Sequence, residues 1–239
     1  MRLLPLDYFE PLFGSLSGKT VGIVDGFGNV GDDLLYLATR QLCQEFNIEY
    51  FTINPLADLK IKTCDKILLF AGGNIGYEKC IPIRQAAYKY NIPCWLLPQS
   101  VIRYEELNCE KLFFRETVSR DIIGKGIIVP DLALGFDFPD FKSEVREEGG
   151  LFLRKMGGCI FDSVPIVDRK DPAMFCHTPQ QYWDYASKFN TVITDRLHFA
   201  ICSIAMGCKT TLLPVNYHKN KAMHKEWLDS LGCYWQEIL

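Results

Sequence analysis

Short apolar runs alternate with helical stretches through the first half of the chain, and each run is followed by glycine or polar residues. Thr20–Val24, 49–53, 66–70, 94–97, Lys111–Phe114 and 127–129 have strand length and branched or aromatic content. Between the first two runs, Leu34, Leu35, Ala38, Leu42 and Phe46 share one helical stripe. Strands alternating with helices build a parallel sheet with helices on both faces, because each parallel step needs a crossover. The expected fold class is α/β.

The pattern breaks at 135–150. Phe136-Asp137-Phe138-Pro139-Asp140-Phe141 leads into a charged run at 142–148 and then Gly149-Gly150. A boundary is expected there, with 1–140 as an N-terminal Rossmann-like domain and 141–239 as a smaller C-terminal one. A strand at 151–154 restarts the core. Thr178-Pro179-Gln180-Gln181 reads as a helix start, with a Thr cap, Pro at the first helical position and Gln three residues on from the Thr. A helix to residue 189, a strand at 191–194, a small-residue helix at 197–206, a strand at 210–213 and an amphipathic helix at 219–231 complete the second unit. Two such units facing a cleft would place sites at the carboxyl ends of their strands.

Composition excludes several classes. The chain is 48% hydrophobic and 23% charged, which supplies an ordinary core and argues against disorder. Twenty-six Lys and Arg against 29 Asp and Glu give a net charge of −3, so no basic field points to nucleic acid. No apolar run approaches the ~20 residues of a membrane-spanning helix. The opening Met1-Arg2-Leu3-Leu4-Pro5 is too interrupted for a leader, so a cytoplasmic location is expected. The ten cysteines show neither CxxC nor zinc-site spacing, and most have apolar neighbours. They read as buried free thiols, and no metal site is expected.

Chemistry is expected in the loops that follow the strands. Gly26-Phe27-Gly28-Asn29-Val30-Gly31 has the glycine spacing of a dinucleotide fingerprint. However, Asp32 and Asp33 would repel a pyrophosphate at the helix start, and the second strand ends in Thr52-Ile53-Asn54 without the acidic partner. Nicotinamide binding is therefore set aside. A tight turn capped by Asp32 accounts for the loop but leaves Asn29 without a role. Ala71-Gly72-Gly73-Asn74 can bring backbone close to a ligand, or can be a plain glycine turn. In Leu97-Pro98-Gln99-Ser100, Pro is expected to end the strand and the next two residues to face the rim. Arg115 should reach the mouth of the cleft, or else form a surface pair with Glu116. Thr194-Asp195-Arg196-Leu197-His198 is the most specific block. Asp195 can cap the following helix, Arg196 offers a fork for phosphate or carboxylate, and His198 can transfer a proton near neutral pH.

Taken in order, Gly28-Asn29-Val30-Gly31-Asp32-Asp33, Gly72-Gly73-Asn74, Pro98-Gln99-Ser100, Arg115-Glu116 with Ser119, Pro130-Asp131-Leu132-Ala133-Leu134 and Thr194-Asp195-Arg196-Leu197-His198 resemble the polysaccharide pyruvyl transferase family. The resemblance implies a fold like the GT-B glycosyltransferases. It also implies transfer of pyruvate from phosphoenolpyruvate to a sugar as a ketal, with release of phosphate. It assigns Arg196, Leu197 and Arg115 to the donor and His198 and Asp32 to catalysis. The N-terminal domain is then the acceptor side with part of the donor site. This chain has Ala71 where a third glycine is usual, and its second domain is short.

The residues fit that chemistry independently. Phosphoenolpyruvate carries a carboxylate and a phosphate, which suit two arginines and a helix N-terminus. His198 would serve as general acid and base, and Asp32 would stabilise a cationic intermediate. Asn29, Asn74, Gln99 and Ser100 would hydrogen-bond sugar hydroxyls. No cofactor is expected beyond phosphoenolpyruvate as co-substrate. The alternatives are a nucleotide-sugar glycosyltransferase of similar architecture and an inactive sugar-binding relative. The acceptor is expected to be a saccharide on a larger anchor, such as a lipid-linked precursor at the inner membrane face. Leu3, Leu4, Leu6, Phe9, Leu12 and Phe13 with His218, Lys219, Lys221, His224 and Lys225 offer a surface for weak contact with anionic membrane. Packing of the apolar stretch into the core is the competing expectation.

Overall fold

The computed structural model describes residues 1–26, 28–57, 63–140, 146–155, 160–161, 165 and 169–237, and for Asn74 the backbone without the side chain. Seven parallel strands form one sheet: β1 (Thr20–Val24), β2 (Glu49–Thr52), β3 (Lys66–Leu69), β4 (Gly72–Ile75), β5 (Cys94–Val101), β6 (Lys111–Phe114) and β7 (Ile127–Ile128). Their order is β2-β1-β3-β5-β6-β7, with β4 paired to β5. The order reverses between β1 and β3, the switch point at which loops diverge to leave a crevice. The helices of this region are α1 (Glu10–Phe13), α2 (Val30–Glu45), α3 (Ile81–Tyr88) and α4 (Thr117–Ile123). Residues 21–24 and 67–69 are buried, as expected for a sheet covered on both faces.

A second parallel sheet has the order β11-β10-β9-β8, with β8 (Glu147–Phe152), β9 (Phe189–Thr194), β10 (Lys209–Leu212) and β11 (Tyr234–Trp235). With it come α5 (Pro179–Ala186), α6 (Leu197–Ala205) and α7 (Lys219–Met223). The Thr178 hydroxyl caps α5, accepting from Gln181 N at 3.2 Å. The Gln181 side chain in turn accepts from His177 N at 2.6 Å.

The chain divides into two compact units. The large-sheet unit holds Leu4–Gly28 and Leu35–Phe136, and the small-sheet unit holds Met1–Leu3, Asn29–Leu34 and Asp137–Leu239. The first turn of α2 therefore belongs with the C-terminal residues, whereas a single cut after residue 140 would have left it with the N-terminal ones.

Four local expectations are corrected. Gly72–Ile75 is a strand, although its glycines carry no strand signal. Pro98 does not end β5, which runs on to Val101. Pro98 sits where the β5–β6 register shifts, between Leu96 and Gln99, a place where a missing N–H is tolerated. The charged run does not stay outside the sheet, because β8 begins at Glu147 as an exposed edge strand on which polar side chains are harmless. Residues 219–231 are helical throughout but change pitch, from α7 to a π turn at His224–Leu228 and a 3₁₀ turn at Asp229–Leu231.

The surface expected to touch membrane is mostly occupied. Phe9, Leu12 and Phe13 are wholly buried. A β-carbon on Gly135 would lie 2.6 Å from the Phe9 ring, and Phe13 stacks on Phe46 at 5.6 Å. In the basic cluster, Lys221 pairs with Glu237 at 2.5 Å and His224 Nε2 donates to the Cys233 carbonyl at 2.8 Å. No described helix is long and apolar enough to cross a membrane. The nine described cysteines are free thiols, and Cys159 lies outside the described residues.

Candidate functional site

The site is built on the step from β9 to α6. Thr194 ends the strand by donating its hydroxyl to the Phe152 carbonyl at 2.8 Å and accepting from Arg196 N at 3.0 Å. This ties the ends of β8 and β9 together and sets the chain for the turn into α6.

Asp195 does not cap α6. Its carboxylate turns inward and accepts from Arg154 N at 2.9 Å, with Arg154 Nε 3.3 Å away. Its carbonyl accepts from Arg154 Nη2 and from Asn220 Nδ2, each at 2.9 Å. Burial works against charge on both partners, raising the Asp195 carboxyl above its usual range and lowering Arg154 below its own, and their mutual attraction offsets this only in part. The helix begins without a side-chain cap, so its N-terminus keeps its attraction for an anion.

Arg196 occupies the cap position of α6, and its guanidinium is gripped from one edge. Nε and Nη2 donate to the two carboxylate oxygens of Asp171 at 3.0 and 2.6 Å. Asp171 is 1% exposed and also accepts from Lys155 N at 2.9 Å and Ala173 N at 3.1 Å. Burial disfavours the Arg196 charge, but the hydrogen bonds and charge of Asp171 outweigh it and hold the guanidinium above its ordinary value. No described residue accepts from Nη1, and the Arg196 side chain keeps 14% exposure. The Leu197 side chain is buried core, so only its backbone N–H is suited to a ligand.

His198 is half-buried in the first turn of α6 and packs against the start of α2, within the same unit. A β-carbon on Gly31 would stand 2.5 Å from His198 Nδ1 and 3.0 Å from its Cβ. Asn29 and Asp32 secure that start reciprocally: Gly31 N donates to Asn29 Oδ1 and Asn29 N to Asp32 Oδ2, each at 2.9 Å. This is a capping box, and it gives Asn29 the local role the sequence left open. The structure thus gathers Asn29, Gly31 and Asp32 with Arg196, Leu197 and His198 in one unit.

Gln99, Ser100 and Arg115 lie in the large-sheet unit and do not reach an open rim. All three are buried at 1% exposure or less. Arg115 donates to Ser100 Oγ at 2.8 Å and to Asp131 Oδ2 at 2.6 Å, buried partners rather than solvent. Glu116 caps α4, accepting from Ser119 N at 2.8 Å, and Gln99 Nε2 donates to the Phe70 carbonyl. Three of the motif blocks are therefore stitched into one buried network. The side chain of Asn74 and the whole of Phe27 lie outside what is described.

Sequence reasoning missed Asp171, Arg154 and Asn220. Asp171-Pro172 carried a usable signal, since Asp before Pro marks a capped helical turn, and Asp171 does cap the turn at Pro172–Met174. Nothing local distinguishes Arg154 or Asn220, whose partners lie 41 and 25 residues away.

The family model described as polysaccharide pyruvyl transferase matches residues 29–217, well over half of the chain. The chain belongs to this family. Among solved structures, it is similar to a protein from Klebsiella pneumoniae subsp. pneumoniae NTUH-K2044, described as a functional uncharacterized protein. The TM-score is 0.74 at 17% identity, covering 98% of this chain and 96% of that one. This likeness is one of fold. Similarity to the S. aureus MnaA–UDP co-structure is weaker, with a TM-score of 0.47 at 11% identity over 84% and 81% of the two chains. No curated protein matches the chain. Membership in the pyruvyl transferase family makes this chain a transferase with a polysaccharide acceptor.

Proposed function

We propose that this pyruvyl transferase moves the pyruvate unit of phosphoenolpyruvate onto two hydroxyls of one sugar, forming a ketal and releasing phosphate. Arg196 carries the reading: a cation held at one edge by Asp171, keeping Nη1 for a ligand, beside the uncapped N-terminus of α6. That combination suits a doubly anionic donor.

In the proposed sequence His198 delivers a proton to the methylene carbon, turning it into a methyl group, while a sugar hydroxyl attacks the adjacent carbon. Phosphate then leaves with its bonding pair, and Asp32 stabilises the cation that results. The second hydroxyl closes the ketal. The two hydroxyl protons end on the methyl group and on phosphate, so the balance needs no further reactant. The Leu197 N–H joins Arg196 at the donor, and Asn29 is the exposed candidate for the acceptor. Arg115, Gln99 and Ser100 enter as the buried support of the large-sheet loops.

Thermal shift with phosphoenolpyruvate, UDP-sugars and NAD(H) tests this directly. Phosphoenolpyruvate should raise the melting temperature of the wild type but not of Arg196→Ala. Stabilisation by a UDP-sugar and none by phosphoenolpyruvate would overturn the proposal.

A further inference from the structure

Asp171 belongs to none of the blocks that suggested the function, yet it is the most fully bonded carboxylate in the small-sheet unit's site. Four donors meet it: Lys155 N just past the end of β8, Ala173 N in the turn it caps, and both Nε and Nη2 of Arg196. The two backbone donors come from separate stretches of chain, so they fix the carboxylate whether or not Arg196 is present. A fixed carboxylate gripping two of three guanidinium nitrogens sets the plane of that group and its remaining edge. An arginine left to itself would sample many rotamers, and ordering it on binding would weaken the site.

We infer that Asp171 is a positioning residue for anion binding: it holds Arg196 by Nε and Nη2 and thereby presents Nη1 to the phosphate or carboxylate of the donor. This rests on the proposed function for the identity of the donor, but not for the binding of an anion. The competing view is that the pair merely staples residues 155, 171 and 196 together. The two views differ in what Asp171→Asn should change. Loss of a staple lowers the folded fraction and the maximal rate, and leaves the affinity of the folded molecules as it was. Loss of positioning weakens affinity in the molecules that remain folded.

The test is calorimetric titration with inorganic phosphate of the wild type, Asp171→Asn, Arg196→Ala and the double variant, with KM for phosphoenolpyruvate measured alongside. Asp171→Asn should raise the phosphate Kd about tenfold, as for loss of an oriented charged hydrogen bond. KM should rise while kcat stays within a few-fold. Added to Arg196→Ala, the same change should cost nothing further, because Asp171 acts through that residue. Asp171→Glu covers the case in which the Asn variant fails to fold; it keeps the charge but shifts the carboxylate by one methylene, and should weaken phosphate binding likewise. An unchanged Kd in the folded Asn or Glu variant, an additive effect in the double variant, or no phosphate binding by the wild type would overturn the inference. Phosphate binding with the expected dependence on Asp171 but without turnover of phosphoenolpyruvate would support it and sink the proposed reaction instead.

Discussion

Gly31 packs against the imidazole of His198, so close that a β-carbon at residue 31 would stand 2.5 Å from Nδ1. The glycine in the first motif block is thus there for the histidine in the last one. Gly31→Ala must push the ring aside or tilt the start of α2. A displacement near 1 Å in a catalytic group costs about 10²-fold in rate, and overpacking of this kind costs about 1–3 kcal/mol of stability. Steady-state kinetics and urea unfolding of the alanine variant should show both losses.

His198→Ala removes the proposed acid and leaves the Arg154–Asp195 and Arg196–Asp171 pairs their own partners. Turnover should fall ~10²–10⁴-fold with the melting temperature little changed. Phosphate release from phosphoenolpyruvate is the readout, and activity near that of the wild type would take His198 out of the mechanism.

For Arg196, truncation to alanine should weaken phosphoenolpyruvate binding by about 1.5–3 kcal/mol, the range for a charged hydrogen bond. Arg196→Lys should recover little, since an ammonium cannot span both oxygens of Asp171 and also meet a donor. Calorimetry on the two variants decides this; equal affinity in the lysine variant and the wild type would remove the geometric argument.

Arg115→Ala should act on stability before anything else. It leaves the buried Asp131 carboxylate and Ser100 hydroxyl without their shared partner. Breaking one side of a buried pair costs about 3–5 kcal/mol. Denaturant titration should show that loss, and a folded Arg115→Ala protein of normal stability would contradict the buried network.

Much of this was legible from local pattern. The apolar runs at Thr20–Val24 and Lys111–Phe114 are strands with the expected bounds, and Thr178-Pro179 starts a helix as its cap chemistry demands. The site was half legible. Arg196 and His198 stand out because a polar block follows an apolar strand. Their surroundings do not, because Asp171 is held by tertiary partners and Arg115 looks the same in sequence whether it faces solvent or Asp131. Asp195 shows how a sound local rule loses: an Asp before a helix normally caps it, but here Arg154 and its backbone offer a buried alternative.

Alkaline pH should destabilise the chain through its thiols. Burial pushes Cys43, Cys94 and Cys233 up to about 12, whereas an unfolded thiol ionises near 8.5. The folded state holds these protons more tightly, so stability is complete below about pH 8.5 and is lost as pH rises toward 12, by about 1.4 kcal/mol per pH unit for each fully ionising thiol. Urea midpoints between pH 8 and pH 10 should fall. Replacing Cys43 and Cys233 by alanine should flatten the slope even though it lowers stability at pH 7.

The small-sheet unit is assembled from three stretches of chain, with Asn29–Leu34 borrowed from near the start. No single crossover between related genes can therefore exchange it whole. A recombinant that took its C-terminal stretch from one parent would set that parent's histidine against the other parent's helix start, where any side chain larger than hydrogen collides. The two blocks must be inherited as one trait, although more than 160 residues separate Gly31 from His198.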